Sequence, residues 1–134
     1  MVTEVVVKDS LSSEMISAGA ELTQRLDNSR FIVSASLWFY IPETNVWRFV
    51  IGSPEVRIGG PKKAYKQVQS VLSRIPEDQP KIPLKDITVI DSKDPLIMLL
   101  KSAITTGDEI AGIRFTHNVI NSVVIEDAYI YRLT

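Results

Sequence analysis

The sequence predicts an α+β (or α/β) two-layer sandwich, a mixed sheet of about five strands with three helices, in the order α-β-β-α-β-α-β-β. Three observations carry this. Residues 31–52, FIVSASLWFYIPETNVWRFVIG, have a period of two on both sides of a turn, which is a hairpin signature. Three other stretches repeat their apolar residues at helical spacing. A short β-branched stretch lies between two of those helices, which calls for crossover connections and a mixed sheet.

Residues 2–7 are apolar but short, and read as an edge strand or a lead-in. From Asp9 or Ser10, either able to cap a helix, the period changes. Leu11, Met15, Ala18, Leu22 and Leu26 then form one helical stripe. Gly19 costs such a helix about 1 kcal/mol relative to Ala, so close packing on the sheet is its expected use.

In the hairpin, Phe31, Val33, Ala35, Leu37, Phe39 and Ile41 share one face, while Ile32, Ser34, Ser36, Trp38 and Tyr40 share the other. Pro42 and Asn45 supply the turn chemistry. A four-residue loop pairs Ile41 with Val46, Tyr40 with Trp47 and Trp38 with Phe49, placing four aromatics on one face.

Residues 53–60 read as a connector with a brief extended piece at 56–58. Gly59-Gly60-Pro61 opens a second helix, whose apolar face is Ala64, Val68, Val71, Leu72 and Ile75. Residues 76–83, PEDQPKIP, cannot be helical. A strand follows at 87–90. Asp94-Pro95 starts a third helix, through Leu96, Leu99, Leu100 and Ala103, with Gly107 as its stop. Residues 111–116 and 122–131 read as the last two strands, joined by a loop at 117–121.

Three helices at about 8–10 Å spacing span one face of a five-stranded sheet about 24 Å wide, not both. Ser34, Ser36, Thr88, Arg114 and Glu126 dilute one side of the sheet. If Trp38, Tyr40, Trp47 and Phe49 lie on that side, they leave a bare patch that matches or exceeds the usual largest apolar patch of a monomer, about 300–600 Å². Plain core packing and a ligand-stacking surface are the other readings of this cluster. With the face bare, the expected cover is a second copy, which makes these four residues the expected interface of a homodimer.

The chain has 134 residues, expected to form a single compact domain. Its formal net charge of −1 argues against coating nucleic acid by bulk charge. The absence of cysteine excludes thiol catalysis, disulfides and cysteine-ligated metals, and fits a cytoplasmic location. The first ten residues carry an acid before any apolar run and no basic region, unlike a signal peptide. No apolar run approaches the roughly 20 residues of a membrane helix. No membrane association and no cofactor are expected.

Charge is uneven. Between Arg57 and Lys85 seven basic residues face two acids, a formal +5 against −6 elsewhere. Lys62, Lys63 and Lys66 stand in the first turns of a helix, where the macrodipole disfavours cations. With Gly59 and Gly60 they make a candidate site for a phosphate, another polyanion or an acidic partner surface. The nearest approach to catalytic groups is Asp91, His117 and Glu126. Asp91 ends a strand where α/β sites often form. Asp91 and Glu126 or Asp127, with a lysine, are the residues from which a metal-dependent hydrolase site would be built. His117 is the only histidine, which leaves no metal pair or triad to build. Glu126-Asp127 interrupts an apolar strand, so one acid must face inward or sit at a bulge, with Arg48, Arg114 or Arg132 as partner. The leading expectation is a domain that acts through a protein interface as a homodimer. An anion-, phosphate- or nucleic-acid-binding module is the alternative, and the acidic hydrolase is third.

Overall fold

A computed structural model describes residues 8–134, so the expected strand or lead-in at residues 2–7 lies outside the described residues. Helix α1 (Ser13–Asn28) precedes the hairpin of β1 (Ala35–Ile41) and β2 (Val46–Gly52). Then come α2 (Glu55–Gly59), α3 (Pro61–Ser73), a 3₁₀ turn (Leu84–Asp86), β3 (Ile87–Ile90), α4 (Pro95–Ala103), β4 (Ile113–Ile120) and β5 (Val123–Leu133). The five strands form one mixed sheet, ordered β3-β2-β1-β5-β4. Among the described strands only β2 and β3 are parallel, because α2 and α3 carry the chain back between them. Among the described residues no helix is long and apolar enough to cross a membrane.

The α+β class, the mixed five-stranded sheet and the order of the long elements are as the periodicities require. The hairpin register is also as derived, with Ile41 opposite Val46, Tyr40 opposite Trp47 and Trp38 opposite Phe49.

Local boundaries differ in several places. The cap of α1 is Ser12, whose Oγ accepts the Met15 N–H at 3.1 Å, rather than Asp9 or Ser10. Residues 56–58 are helical, not extended. Ser53 Oγ accepts the Glu55 N–H, and the Pro54 carbonyl accepts from Arg57 and Ile58, which seeds a turn. Helix α4 ends at Ala103, where Ile104 turns extended, before Gly107 is reached. Residues 117–120 belong to β4 rather than to a loop. The turn is Asn121-Ser122, with φ of 49° and 69°, as a two-residue hairpin turn needs.

The covering of the sheet departs most from expectation. Helices α1 and α3 pack on the aromatic face, and α4 packs on the other. Trp38, Tyr40, Trp47 and Phe49 are therefore core residues of their own chain, and their rings meet at 5.1 Å (Trp38–Phe49) and 5.3 Å (Tyr40–Trp47). Ser36 lies on this face too, satisfied by a 2.6 Å bond to Thr23 of α1. Phe31 and Val33 join the same cluster instead of continuing the Ala35–Leu37 face. Arg30, at φ 65°, turns the chain there before β1 begins.

Helix α4, with nine residues, is about 14 Å long. It reaches Ala35, Leu37, Val50, Ile130 and Leu133 with Ile97 and Leu100. The shortage of helix inferred from dimensions thus falls on the aliphatic face.

Candidate functional site

On that face, Phe39, Ala128 and Phe115 form one row across β1, β5 and β4. Both Phe rings are only partly buried. Next to this row the β4–β5 hairpin runs on past the last residue of β5 that pairs with β1, Ala128. At its tip Val119 is opposite Val124, and Ile120 opposite Val123. Val119, Val123 and Val124 are 66%, 46% and 63% exposed. Strand β4 is a sheet edge, with no partner on its outer side among the described residues. Sequence reading missed the pairing at the tip because a loop was expected at 117–121, which took in Val119, while Val123 and Val124 were already expected in the last strand. The signal was β-branched residues on both sides of Asn121-Ser122, a turn pair less familiar than Asn-Gly.

The hairpin is irregular at His117, whose φ is 48°. The pairing passes from Thr116–Asp127 to Asn118–Ile125. Asp127 is the inward acid, with a side chain 1% exposed. Of the three arginines considered as its partner, Arg114 serves, with two bonds of 2.7 Å; Lys8 binds the same carboxylate. Burial pushes the Asp127 carboxyl up, but the bonds from Arg114 and Lys8 outweigh it and hold the group below its ordinary range. Both cations also stand over the Trp47 ring, at 5.7 and 5.6 Å. Arg48 instead bonds Thr88 and the Lys85 and Ile87 carbonyls, and Arg132 clasps Asp27.

The three candidate catalytic groups are not brought into one site. Asp91 follows β3, and Glu126 lies in β5, three strand spacings across and about seven residues along, or roughly 25 Å away. Asp91 holds the Lys93 N–H at 3.0 Å and Arg57 at 2.9 Å. The Lys93 N–H is the largest cause of its lowered pKa, and Arg57 adds to it. Such an acid stays ionised and makes a poor proton donor. His117 and Glu126 do meet, at 3.4 Å, but on the exposed outside of the hairpin. Among the described residues no three His, Asp or Glu side chains are grouped to hold a metal.

At the α3 start, Gly60 takes φ 90° with open space where a Cβ would stand. Lys62, Lys63 and Lys66 are exposed, and the first turn carries no acid. None of the three forms an ion pair among the described residues.

A cleft of about 350 Å³ opens between the start of α1 and residues 80–86. Trp38 and Trp47 line it beside Met15, Ala18 and Ile82, with Glu14 and Asp86 among its polar residues. Both indole N–H groups are already used, on the Met15 and Asp9 carbonyls at 2.9 Å. The two tryptophans are 3% and 7% exposed, so little ring is left for a ligand. Their work is to pin residues 9–15 onto the sheet.

Comparison with family models, with curated proteins and with solved structures finds no match for this chain.

Proposed function

We propose that this chain is a small interaction domain that works as a homodimer, joined through the β4–β5 hairpin and the sheet face beside it. What carries the reading is the hairpin tip, where three valines stand in solvent next to an unpaired edge among the described residues. An open, apolar edge strand is a template for pairing, and proteins normally blunt it with lysine, proline or a cover. Here the outer strand ends in Asn118-Val119-Ile120, which carries no charge. Fully burying one valine is worth about 1.5–3 kcal/mol, so the tip alone contributes usefully to association. Val119 and Val124 face one side of the hairpin and Val123 the other, with Ile120, which packs in the cluster of the half-covered Phe39 and Phe115. Both sides are needed to approach the roughly 800 Å² per partner of a stable interface. The buried aromatics Trp38, Tyr40, Trp47 and Phe49 take no part in it.

Light scattering after size exclusion tests this directly. A dimer is expected at micromolar concentration; a monomer persisting to about 100 µM would end the proposal.

A second reading keeps a specific observation behind it. The three lysines at the α3 start lack acidic partners among the described residues, and they oppose the helix dipole. An anion-binding role there predicts retention on heparin at low salt, lost on reversing Lys62 and Lys63.

A further inference from the structure

One end of the sheet gathers the C-terminal ends of β2, β3 and β5 and the approach to β1. A recess of about 450 Å³ lies across it, outside the surfaces described so far. Its apolar residues are Ile32, Pro54 and Met98. Ile32 and Met98 are 52% and 50% exposed, high for side chains of this size. Its charged side chains are Lys93 and Lys101 alone; Ser34, Ser92 and Thr134 complete the lining. Neither lysine forms an ion pair among the described residues. The two acids nearest in sequence have their hydrogen bonds elsewhere, though Asp91 also feels the Lys93 charge. Asp91 is held by Arg57 and the Lys93 N–H, and Asp94 caps α4 by accepting the Leu96 N–H at 2.9 Å.

From this placement we infer that the recess is a binding site for an anionic amphiphile: a carboxylate or phosphate monoester on an apolar body. Lys93 and Lys101 meet the head, and Ile32, Pro54 and Met98 meet the body. Each half of the site has a physical reason. An apolar concavity of this volume with a few placed polar groups is the usual form of a small-molecule site. Open sheets with parallel strands bind ligands outside the C-terminal strand ends, where loops diverge, and β2 and β3 are the parallel pair here. Methionine and isoleucine adapt to or shape an apolar partner, and methionine does so with little strain. Among the described residues the lining side chains bring two positive charges and no negative one, although Lys93 also acts on the neighbouring Asp91, and this balance favours an anionic head group. The backbone beneath is braced, since the Ser34 carbonyl accepts from the Thr134 N–H at 2.9 Å and its N–H donates to Gly52 at the same distance.

The test is an NMR titration of the whole chain with decanoate, decyltrimethylammonium and inorganic phosphate, below micelle formation. Decanoate is expected to move the amide signals of Ser34, Ser92, Lys93 and Met98 saturably. The cationic analogue and phosphate alone are expected to leave them unmoved. Lys93→Glu with Lys101→Glu should weaken decanoate by about ten-fold or more, as reversing two nearby charges requires. Met98→Gln should weaken it with the lysines intact. Equal responses to the anionic and cationic chains, shifts confined to another surface, or no shift at millimolar decanoate would overturn the assignment. So would a response to hexaglutamate without one to decanoate, which would make the recess a docking site for an acidic peptide.

Discussion

Asp127 and Gly19 show how single residues hold this fold. The Asp127 carboxylate is buried and kept ionised by Arg114 and Lys8, both about half to one-third exposed. Its folded pKa lies below the unfolded value, near 3.9, so its contribution is complete above that value and is lost as pH falls through the folded one. Asp127→Asn is expected to cost about 1–3 kcal/mol at pH 7, a charge-assisted bond partly offset because Arg114 can reach water. The same change should flatten the stability loss below pH 4; urea denaturation at pH 7, 4 and 3 measures both. Gly19 lies in α1, where a Cβ would stand 2.7 Å from the Cε2 and Cζ atoms of Tyr131. That ring is buried, and its hydroxyl donates to the Ile16 carbonyl at 2.6 Å. Helix propensity alone credits Gly19→Ala with about 1 kcal/mol. Overpacking should reverse the sign, to a net loss of about 1–3 kcal/mol visible as a lower melting temperature.

At the scale of elements, the hairpin tip and the α3 start make opposite demands on charge. Val119→Lys with Val124→Lys places two cations on an exposed strand pair, which does little to a folded monomer. The double variant is expected to abolish dimerisation while shifting the melting temperature at low concentration by only a few degrees, read by light scattering beside calorimetry. At α3, Lys62→Glu puts an acid where the dipole favours one. It should raise stability by about 0.3–1 kcal/mol at low ionic strength, with the gain shrinking in salt. A matching fall in heparin retention would mark the lysines as kept for binding at a cost in stability; unchanged retention would make them an ordinary solvated face.

For the molecule as a whole, the two sheet faces are served unequally. The aromatic face has two long helices, its rings locked by indole and hydroxyl bonds to α1 and the segment before it. The other has one nine-residue helix, with Phe39 and Phe115 left at its margin. The proposed dimerisation through the thin side would account for this asymmetry without calling on the tryptophans. It also predicts a melting temperature that rises with protein concentration, since a partner that binds only the folded state stabilises it by mass action. A concentration-independent transition between about 1 and 100 µM would contradict it.

The period of two in residues 31–52, the apolar stripes of α1, α3 and α4, and Asp94-Pro95 were enough to establish the three long helices, the first hairpin and its register, but not the short α2 or the full length of β4. These are local properties: side-chain alternation, capping and turn chemistry act over a few residues. The inward Asp127 was legible too, as a choice between two adjacent acids, and so was an arginine partner, though not which of three. Which sheet face each helix covers is different in kind. An apolar stripe states that a helix must be buried, not against what, and the aromatic and aliphatic faces of the hairpin are equally good hosts. Only the tertiary arrangement put α1 and α3 over Trp38 and Trp47 and left the valines at the β4–β5 tip in water. The same arrangement parted Asp91 from Glu126 and brought Lys93, Lys101, Met98 and Ile32 to one recess, because strand order decides which distant residues meet.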